Sequence, residues 1–321
     1  MTNINFNKKN KSTKILVTGG RGFIGSNLVI KLKEKGYVVF APSSKYDLRD
    51  KKIADKLTKN INIVIHLAAH IGSLSYNENP ANLFYDNTIM SLNLIDASLR
   101  AKINKFIGIG TIREYPITAK IPFKEEEMWN TSIQSWLKTS PKYFKSSVAS
   151  YAFAKRLMLA QLQFYHEQYG FPYIHLILSN TYGPEMRLDT KRTGIADIIN
   201  KMIIAKKKQS KTVEFWGSGK VKRDFIYIDD VIKAILFFIR QDIKKEVLNI
   251  GSGKAISMKK IINILAQICN YQNCVSWDKS KPEGDLIDLL DINKAKSFGF
   301  TATTPFKIGM EKTIKWYNFK N

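Results

Sequence analysis

A short apolar run followed by three regularly spaced glycines constrains the fold of this chain most. Residues 15–17 predict a buried strand, and Gly19, Gly22 and Gly25 follow in the spacing G-x-x-G-x-x-G, before a helical pattern that closes at Gly36. Glycine lets the backbone turn tightly and approach a pyrophosphate, while the helix that follows offers its free N–H groups. The segment therefore predicts the first strand, turn and helix of a dinucleotide-binding domain; a tightly packed strand–turn–helix without a ligand is the alternative.

The rest of the chain alternates strand and helix patterns, and the predicted elements become shorter in its C-terminal part. Strands are predicted at 37–41, 61–67, 105–110 and 172–178, with helices at 82–99 and 147–169. After about residue 180 the elements shorten to a helix at 194–206 and strands at 213–216 and 247–250. This alternation predicts an α/β fold, a Rossmann-type doubly wound parallel sheet with a smaller C-terminal α/β substrate lobe. We expect a flexible tail at 1–13, the dinucleotide-binding domain at 14–180 and the substrate lobe at 181–321, with some return to the first sheet.

The charge and the cysteine content limit which ligands, metals and cross-links the chain is expected to have. The chain has 51 Lys and Arg against 27 Asp and Glu, a net charge of +24. Its lysines are scattered, which favours a diphosphate-bearing small molecule over nucleic acid. Cys269 and Cys274 lie five apart without a nearby histidine, so neither a metal site nor a disulfide framework is predicted. With no signal peptide or membrane-span pattern, we expect a cytoplasmic protein.

Tyr151 and Lys155 form a Y-x-x-x-K pair on a predicted helix, and Thr111 ends a predicted strand about 40 residues earlier. A spacing of four places both side chains on one helix face. A lysine ammonium beside a phenol should lower the pKa of the tyrosine toward working pH, which suits proton exchange with a sugar alcohol. Thr111 lies where parallel sheets bind ligands, and its hydroxyl could contact the same oxygen. A solvated helix face is the alternative interpretation of the Tyr–Lys pair alone.

Further motifs follow in a fixed order along nearly the whole chain. They are VIHLAA at 64–69, SNTYGP at 179–184, FWGSG at 215–219, RDFIYIDD at 223–230, LNIG at 248–251 and KPEG at 281–284. With the glycine motif and the Tyr–Lys pair, the chain resembles the extended short-chain dehydrogenase/reductase family of nucleotide-sugar enzymes. Within that family it is most similar to the GDP-L-fucose synthase branch.

The resemblance implies roles for specific residues. Thr111, Tyr151 and Lys155 would be catalytic. The implied substrate-binding residues are His70, Arg113, Asn180, Lys201, Trp216 and Arg223. The implied cofactor-binding residues, besides Tyr151 and Lys155, are Gly19, Arg21, Gly22, Phe23, Ile24, Gly25, Ser44, Asp47, Leu48, Leu67, Ala68, Ala69 and Asn87. The cofactor is NADP or NAD. We favour NADP because residues 42–45 contain no ribose-binding carboxylate and Arg21 can bind a phosphate.

Departures from the fucose synthase branch limit the expected chemistry. That branch uses a cysteine and a histidine to epimerise the sugar, and the matching positions here are Arg113 and Gly194. Family dehydratases carry an Asp-Glu pair directly after the catalytic threonine, where this chain has Ile112 and Arg113. The closing motif is also altered, because residues 285–288 replace a stretch that is usually basic.

The sequence thus predicts a homodimeric nucleotide-sugar oxidoreductase that interconverts a hydroxyl and a keto group at C4. The expected substrate is a GDP-linked manno-type hexose or heptose used for capsule or lipopolysaccharide synthesis. A C4 epimerase with tightly bound NAD and a bifunctional epimerase/reductase remain alternatives, as does a non-catalytic dinucleotide-binding or nucleic-acid-binding protein. The direction of the reaction is not encoded.

Overall fold

The computed structural model describes residues 12–71, 79–116, 118–130, 147–188, 194–271, 274–280 and 286–320. Its main sheet has six parallel strands, which are β1 (Lys14–Thr18), β2 (Val38–Phe40), β3 (Ile63–His66), β4 (Lys105–Thr111), β5 (Tyr173–Leu178) and β9 (Lys245–Ile250). Their order in the sheet is β2-β1-β3-β4-β5-β9. The helices of this half are α1 (Phe23–Glu34), α2 (Lys51–Thr58), α3 (Pro80–Arg100) and α4 (Ser147–Tyr169). The predicted Rossmann-type α/β fold is confirmed.

Burial along the strands follows from this architecture. Every residue of β3 and β5 is buried, because helices cover both faces of a parallel sheet. The predicted strands and helices agree with the structure to within two residues at each end. The polar first residues 1–11 lie outside the described part of the chain.

The C-terminal half adds smaller sheets. Strands β6 (Asn180–Tyr182), β8 (Lys222–Tyr227), β10 (Ala255–Ser257) and β12 (Ile287–Asp288) pair around β8, and β7 (Thr212–Trp216) pairs with β11 (Cys274–Asp278). The helices are α5 (Ile195–Lys207), α6 (Ile228–Arg240), α7 (Met258–Ile268), α8 (Asn293–Ser297) and α9 (Phe306–Lys320). Because β9 belongs to the main sheet, the chain returns to the dinucleotide-binding half after building part of the second lobe.

One buried lysine joins the two halves. The Lys105 side chain donates hydrogen bonds from Nζ to the carbonyl oxygens of Phe238 (3.2 Å), Ile239 (3.0 Å) and Gln241 at the end of α6. Burial lowers its pKa to about 8. Carbonyls at a helix C-terminus lack intrahelical donors, so this ammonium satisfies three of them.

The parallel strands direct their carboxyl ends to one edge of the sheet. Thr18, His66 and Thr111 end their strands there, which is where the sequence places the candidate site. Among the described helices, none combines the length and apolar character needed to cross a membrane.

Candidate active site

The glycine motif forms a turn that closely approaches the β3 end. Gly19 has a φ of +69°, and a Cβ there would lie 2.6 Å from the Ala68 nitrogen. A Cβ on Gly25 would lie 2.2 Å from the Gly19 carbonyl oxygen. Gly22 caps α1, and no described side chain bonds the first N–H groups of that helix. The exposed backbone and free N–H groups fit a dinucleotide diphosphate, with Arg21 exposed beside them.

The loop after β3 forms the second wall of this cradle. Leu67, Ala68 and Ala69 are half-buried, and the Ala68 N–H donates to Thr18 Oγ1 at 3.3 Å. Asn87 is buried on α3 and clamps His70: its Oδ1 accepts from the His70 N–H and its Nδ2 donates to the His70 carbonyl, both at 2.9 Å. The amide therefore shapes the cofactor loop.

A cluster of charges lies at the predicted adenosine end. Arg49 bonds Asp47 through Nε at 3.0 Å and Asp86 through Nη1 at 3.0 Å, and it lowers the pKa of Asp47. His70 Nδ1 lies 4.0 Å from Asp86. The structure therefore places His70, which the sequence assigned to the substrate, beside the cofactor-side charges. The neighbouring Leu48 is buried and Ser44 is exposed.

The candidate catalytic residues lie where α4 packs against the turn after β4. Lys155 Nζ lies 5.9 Å from the centroid of the Tyr151 ring, and the lysine is buried. Burial lowers the pKa of Lys155 to about 8, while the negative charge of Glu114 acts in the opposite direction. Burial and Glu114 both raise the pKa of Tyr151. The expected lowering of the tyrosine pKa is therefore wrong for the free protein, in which burial and Glu114 raise it.

Glu114 is a residue that the motif analysis missed. Its Oε1 accepts from the Thr111 N–H at 2.8 Å, and its Oε2 lies 2.8 Å from His175 Nε2. Both side chains of the Glu114–His175 pair are fully buried. The spacing T-x-x-E at 111–114 is a capping-box pattern, and the structure forms that box; this was the signal in the sequence.

Arg113 and Asp288, two separate departures from the family pattern, form one ion pair. The Asp288 carboxylate lies 2.7 Å from Arg113 Nη2 and 2.9 Å from Arg223 Nε. Asp288 is buried, whereas a third of the Arg113 side chain is exposed. Asn180 joins the same region by donating from Nδ2 to the Asp224 carbonyl at 2.9 Å. The structure thus links the turn after Thr111 to the predicted substrate residues on β6 and β8.

Lys201 and Trp216 also come together. Lys201 Nζ lies 5.8 Å from the Trp216 ring centroid and 3.3 Å from the Asp197 carboxylate. Half of the Trp216 side chain is exposed, which leaves an aromatic surface beside a cation. Gly194, in place of the expected histidine, caps α5 at a φ of +96°. No group of three or more His, Cys, Asp or Glu suited to a metal occurs among the residues that the structure describes.

The tight glycine turn against the β3 end, the Tyr–Lys pair on α4 and the threonine that ends β4 lie on a Rossmann-type fold, the combination typical of short-chain dehydrogenases/reductases. Residues 15–251 match the model of the NAD dependent epimerase/dehydratase family, and the chain belongs to that family. It is an NAD(P)-dependent nucleotide-sugar enzyme.

Individual relatives extend over nearly the whole chain. GDP-L-fucose synthase of Sinorhizobium fredii is 31% identical over 94% of this chain and 94% of its own length. UDP-glucose 4-epimerase of Thermotoga maritima is 27% identical with a TM-score of 0.82, covering 96% of this chain and 99% of its own. A GDP-mannoheptose C4 reductase from Campylobacter jejuni with NADP bound is 22% identical with a TM-score of 0.83, covering 96% of each chain.

Proposed function

We propose that this enzyme interconverts a keto and a hydroxyl group at C4 of a GDP-linked manno-type hexose or heptose for surface polysaccharide synthesis. The proposal rests on the set of Thr111, Tyr151 and Lys155 near the glycine turn. Arg113, two residues after the threonine, is held in an ion pair with Asp288. The relatives named GDP-L-fucose synthase and GDP-mannoheptose C4 reductase support the substrate class.

The residues of the chain divide the proton chemistry among them. When bound, the nicotinamide supplies or receives the hydride. Tyr151 donates its phenolic proton to the C4 oxygen during reduction, and the Thr111 hydroxyl bonds the same oxygen. Lys155 stabilises the phenolate that forms. Since burial and Glu114 raise the pKa of Tyr151, the free enzyme holds the proton needed for reduction.

The diphosphate and base are assigned to the second lobe. Arg223 lies on β8 with most of its side chain buried, and its guanidinium, oriented by Asp288, can donate to a phosphate of the substrate. Trp216 and Lys201 offer a stacking surface and a cation for the nucleotide. Asn180, on the neighbouring strand, is placed near the sugar.

We infer that C3 and C5 keep their configuration. Removing a proton beside a ketone needs a base, and arginine stays protonated at any working pH. Arg113 is also engaged by Asp288, and Gly194 has no side chain. A 4-keto substrate incubated with the enzyme in D2O should take up no deuterium at C3 or C5 above background. Enzyme-dependent incorporation would instead support the bifunctional epimerase/reductase.

Tyr151→Phe tests the mechanism directly. We expect a GDP-linked 4-keto sugar to be reduced about 100- to 10,000-fold more slowly, the usual contribution of a general acid. Tyr169→Phe is the matched control, because this exposed tyrosine lies on the same helix, about 27 Å away at 1.5 Å per residue. Near wild-type turnover in Tyr151→Phe would remove the tyrosine from the reaction.

A C4 epimerase is the second candidate, favoured by the likeness to UDP-glucose 4-epimerase. An epimerase regenerates its cofactor in each cycle, whereas a reductase consumes it. Absorbance at 340 nm separates the two: stoichiometric loss of the reduced cofactor on adding substrate supports net reduction.

We favour NADP(H) as the cofactor. Asp47, the carboxylate after β2, is already engaged by Arg49, and the exposed Arg21 can reach a phosphate at the adenosine end. A neighbouring structure holds NADP. Arg21→Ala should reduce the preference for NADPH over NADH, and NAD(H) retained in the purified protein would reverse this assignment.

We also propose a cytoplasmic homodimer. Helices α3 and α4 pack together and leave large apolar side chains exposed, including Tyr85 (62%), Leu92 (40%) and Phe164 (74%). A second copy would cover this surface. Sedimentation at micromolar concentration should give a dimer, and Phe164→Glu should give a monomer.

A further inference from the structure

The buried pair Glu114–His175 lies directly against the candidate catalytic turn. Glu114 ends the helical turn that follows β4, and His175 lies on the neighbouring strand β5. One carboxylate oxygen accepts from the Thr111 N–H at 2.8 Å and the other lies 2.8 Å from His175 Nε2. Neither side chain is exposed to solvent.

The hydrogen bonds determine which group carries the charge. His175 Nδ1 is buried and has no hydrogen-bond partner among the described residues. A charged imidazolium would carry a proton on that nitrogen and bury an N–H without an acceptor. The neutral ring with its proton on Nε2 instead donates to Glu114 and leaves Nδ1 as an unprotonated acceptor. The pair therefore carries one negative charge, on the carboxylate.

The titratable groups facing this carboxylate come from several elements. Tyr151 and Lys155 lie on α4, and Tyr115 follows Glu114 in the chain. Burial raises the pKa of both tyrosines and lowers that of Lys155, and the negative charge of Glu114 acts upward on all three. His66 on β3 faces the same lysine: its pKa is lowered first by burial and then by Lys155.

The pair occupies the space that a side chain on Gly110 would need. A Cβ on Gly110 would lie 2.4 Å from His175 Nε2 and 2.5 Å from Glu114 Oε1. Only glycine at this position lets the two side chains meet beneath the strand end. The chain thus commits three residues to placing one carboxylate here.

We propose that Glu114, held by His175, is a positioning residue that fixes the Thr111 backbone and keeps a permanent negative charge opposite Lys155. The inference rests on the proposed reduction by Tyr151. As hydride reaches the sugar carbon, the proton passes from the Tyr151 oxygen to the sugar oxygen, and Lys155 neutralises the phenolate. Glu114 neither gains nor loses a proton; its charge keeps the lysine in the ammonium form in which it can do so.

Glu114→Gln tests this role because it keeps the shape and an oxygen acceptor for the Thr111 N–H while removing the charge. Without the charge, Lys155 and Tyr151 lose their protons at lower pH. In the pH profile of kcat for NADPH-dependent reduction of a GDP-linked 4-keto sugar, the alkaline limb should therefore shift to lower pH by about one unit. The KM of the sugar should change less than about threefold, since Glu114 does not touch it.

Three companion variants separate charge from packing. Glu125→Gln is the matched control, because this half-buried carboxylate accepts a hydrogen bond from the Asn249 N–H at 2.8 Å. In this variant the alkaline limb of the kcat profile should not shift. His175→Gln keeps an N–H donor to Glu114 and should also preserve the limb. His175→Leu removes that donor, so the buried carboxylate binds a proton more readily and the limb should move as in Glu114→Gln.

Nitrogen-15 NMR of histidine gives a readout that does not depend on activity. The chain has four histidines, and His175→Gln assigns the signal. We expect the neutral tautomer protonated on Nε2 in the wild type, and a different tautomer in Glu114→Gln. An imidazolium signal in the wild type, or an unmoved alkaline limb in Glu114→Gln, would overturn the proposal. A wild-type enzyme that oxidises no NADPH with GDP-linked 4-keto sugars would refute the proposed function instead, while the NMR result would still decide the charge of the pair.

Discussion

Two arginine–aspartate clusters lie at opposite ends of the candidate site and differ in their relation to water. At the predicted cofactor end, Arg49 lies between Asp47 and Asp86, with 46% of the arginine and 44% of Asp47 exposed. At the predicted substrate end, Asp288 lies between Arg113 and Arg223 and is only 3% exposed. The first cluster is one cation between two anions, and the second is one anion between two cations.

The difference in burial predicts different roles for the two clusters. Exposed ion pairs are screened by water and salt and contribute little to stability. A buried carboxylate has given up its hydration and depends on its partners, so removing one member leaves uncompensated charge. The cofactor-side cluster can therefore adjust when a ligand arrives, whereas the substrate-side cluster fixes the distance between the turn after Thr111 and strand β8.

The largest effect is expected for Asp288→Asn. Loss of the buried anion leaves two guanidinium groups facing each other, so the free energy of unfolding should fall by about 2–4 kcal/mol. This loss is at the low end of the range for broken buried ion pairs because Arg113 is partly exposed. The KM for the nucleotide sugar should rise about tenfold or more as Arg223 loses its fixed orientation. Urea unfolding and steady-state kinetics measure the two effects.

Asp47→Asn is the matched control for that change, since it makes the same substitution in the exposed cluster. Its unfolding midpoint should stay close to that of the wild type. If both variants lose the same stability, burial does not distinguish the two clusters.

An intermediate effect is expected for Lys105, a buried cation bonded to carbonyl oxygens and not to carboxylates. Its pKa is about 8 in the folded protein against an ordinary lysine pKa of 10.5. Between these values the unfolded chain binds more protons, so stability rises with pH. From pH 7 to 9.5 this lysine should add about 1–2 kcal/mol to the free energy of unfolding.

Lys105→Met should remove that portion of the pH dependence. Lys155, whose pKa is also about 8, keeps a similar rise in the variant. Urea unfolding at pH 7 and 9.5 compares the two proteins. An identical rise in both would show that Lys105 loses no affinity for protons on folding.

The smallest effect is expected for Arg49→Ala. The arginine is exposed, so the midpoint of thermal unfolding should move by less than about 2 °C, and by less still at high salt. Calorimetry at low and high salt checks this. A large shift independent of salt would place this cluster in the same class as the buried one.

The sequence predicted the cofactor half better than the centre of the site. The glycine turn, the strands and the Tyr–Lys helix follow from local spacing, which fixes backbone geometry over a few residues. Asp288 lies 175 residues after Arg113, and no local pattern indicates that their side chains meet. The predicted direction of the Tyr151 pKa shift was wrong because the shift depends on burial and on the charge of Glu114. Both follow only from the packing of the folded chain.

The return of β9 to the main sheet has a consequence for synthesis of the chain on the ribosome. Strand β5 ends at Leu178 and its outer partner starts at Lys245, so a nascent chain carries an open strand edge, whose residues are all buried in the finished fold, while the intervening residues are made. At 5–20 residues per second this interval lasts roughly 3 to 13 s. During it, the hydrogen-bonding groups of β5 can pair with another chain. The order of strands thus leaves this edge of the main sheet unpaired until β9 has been made.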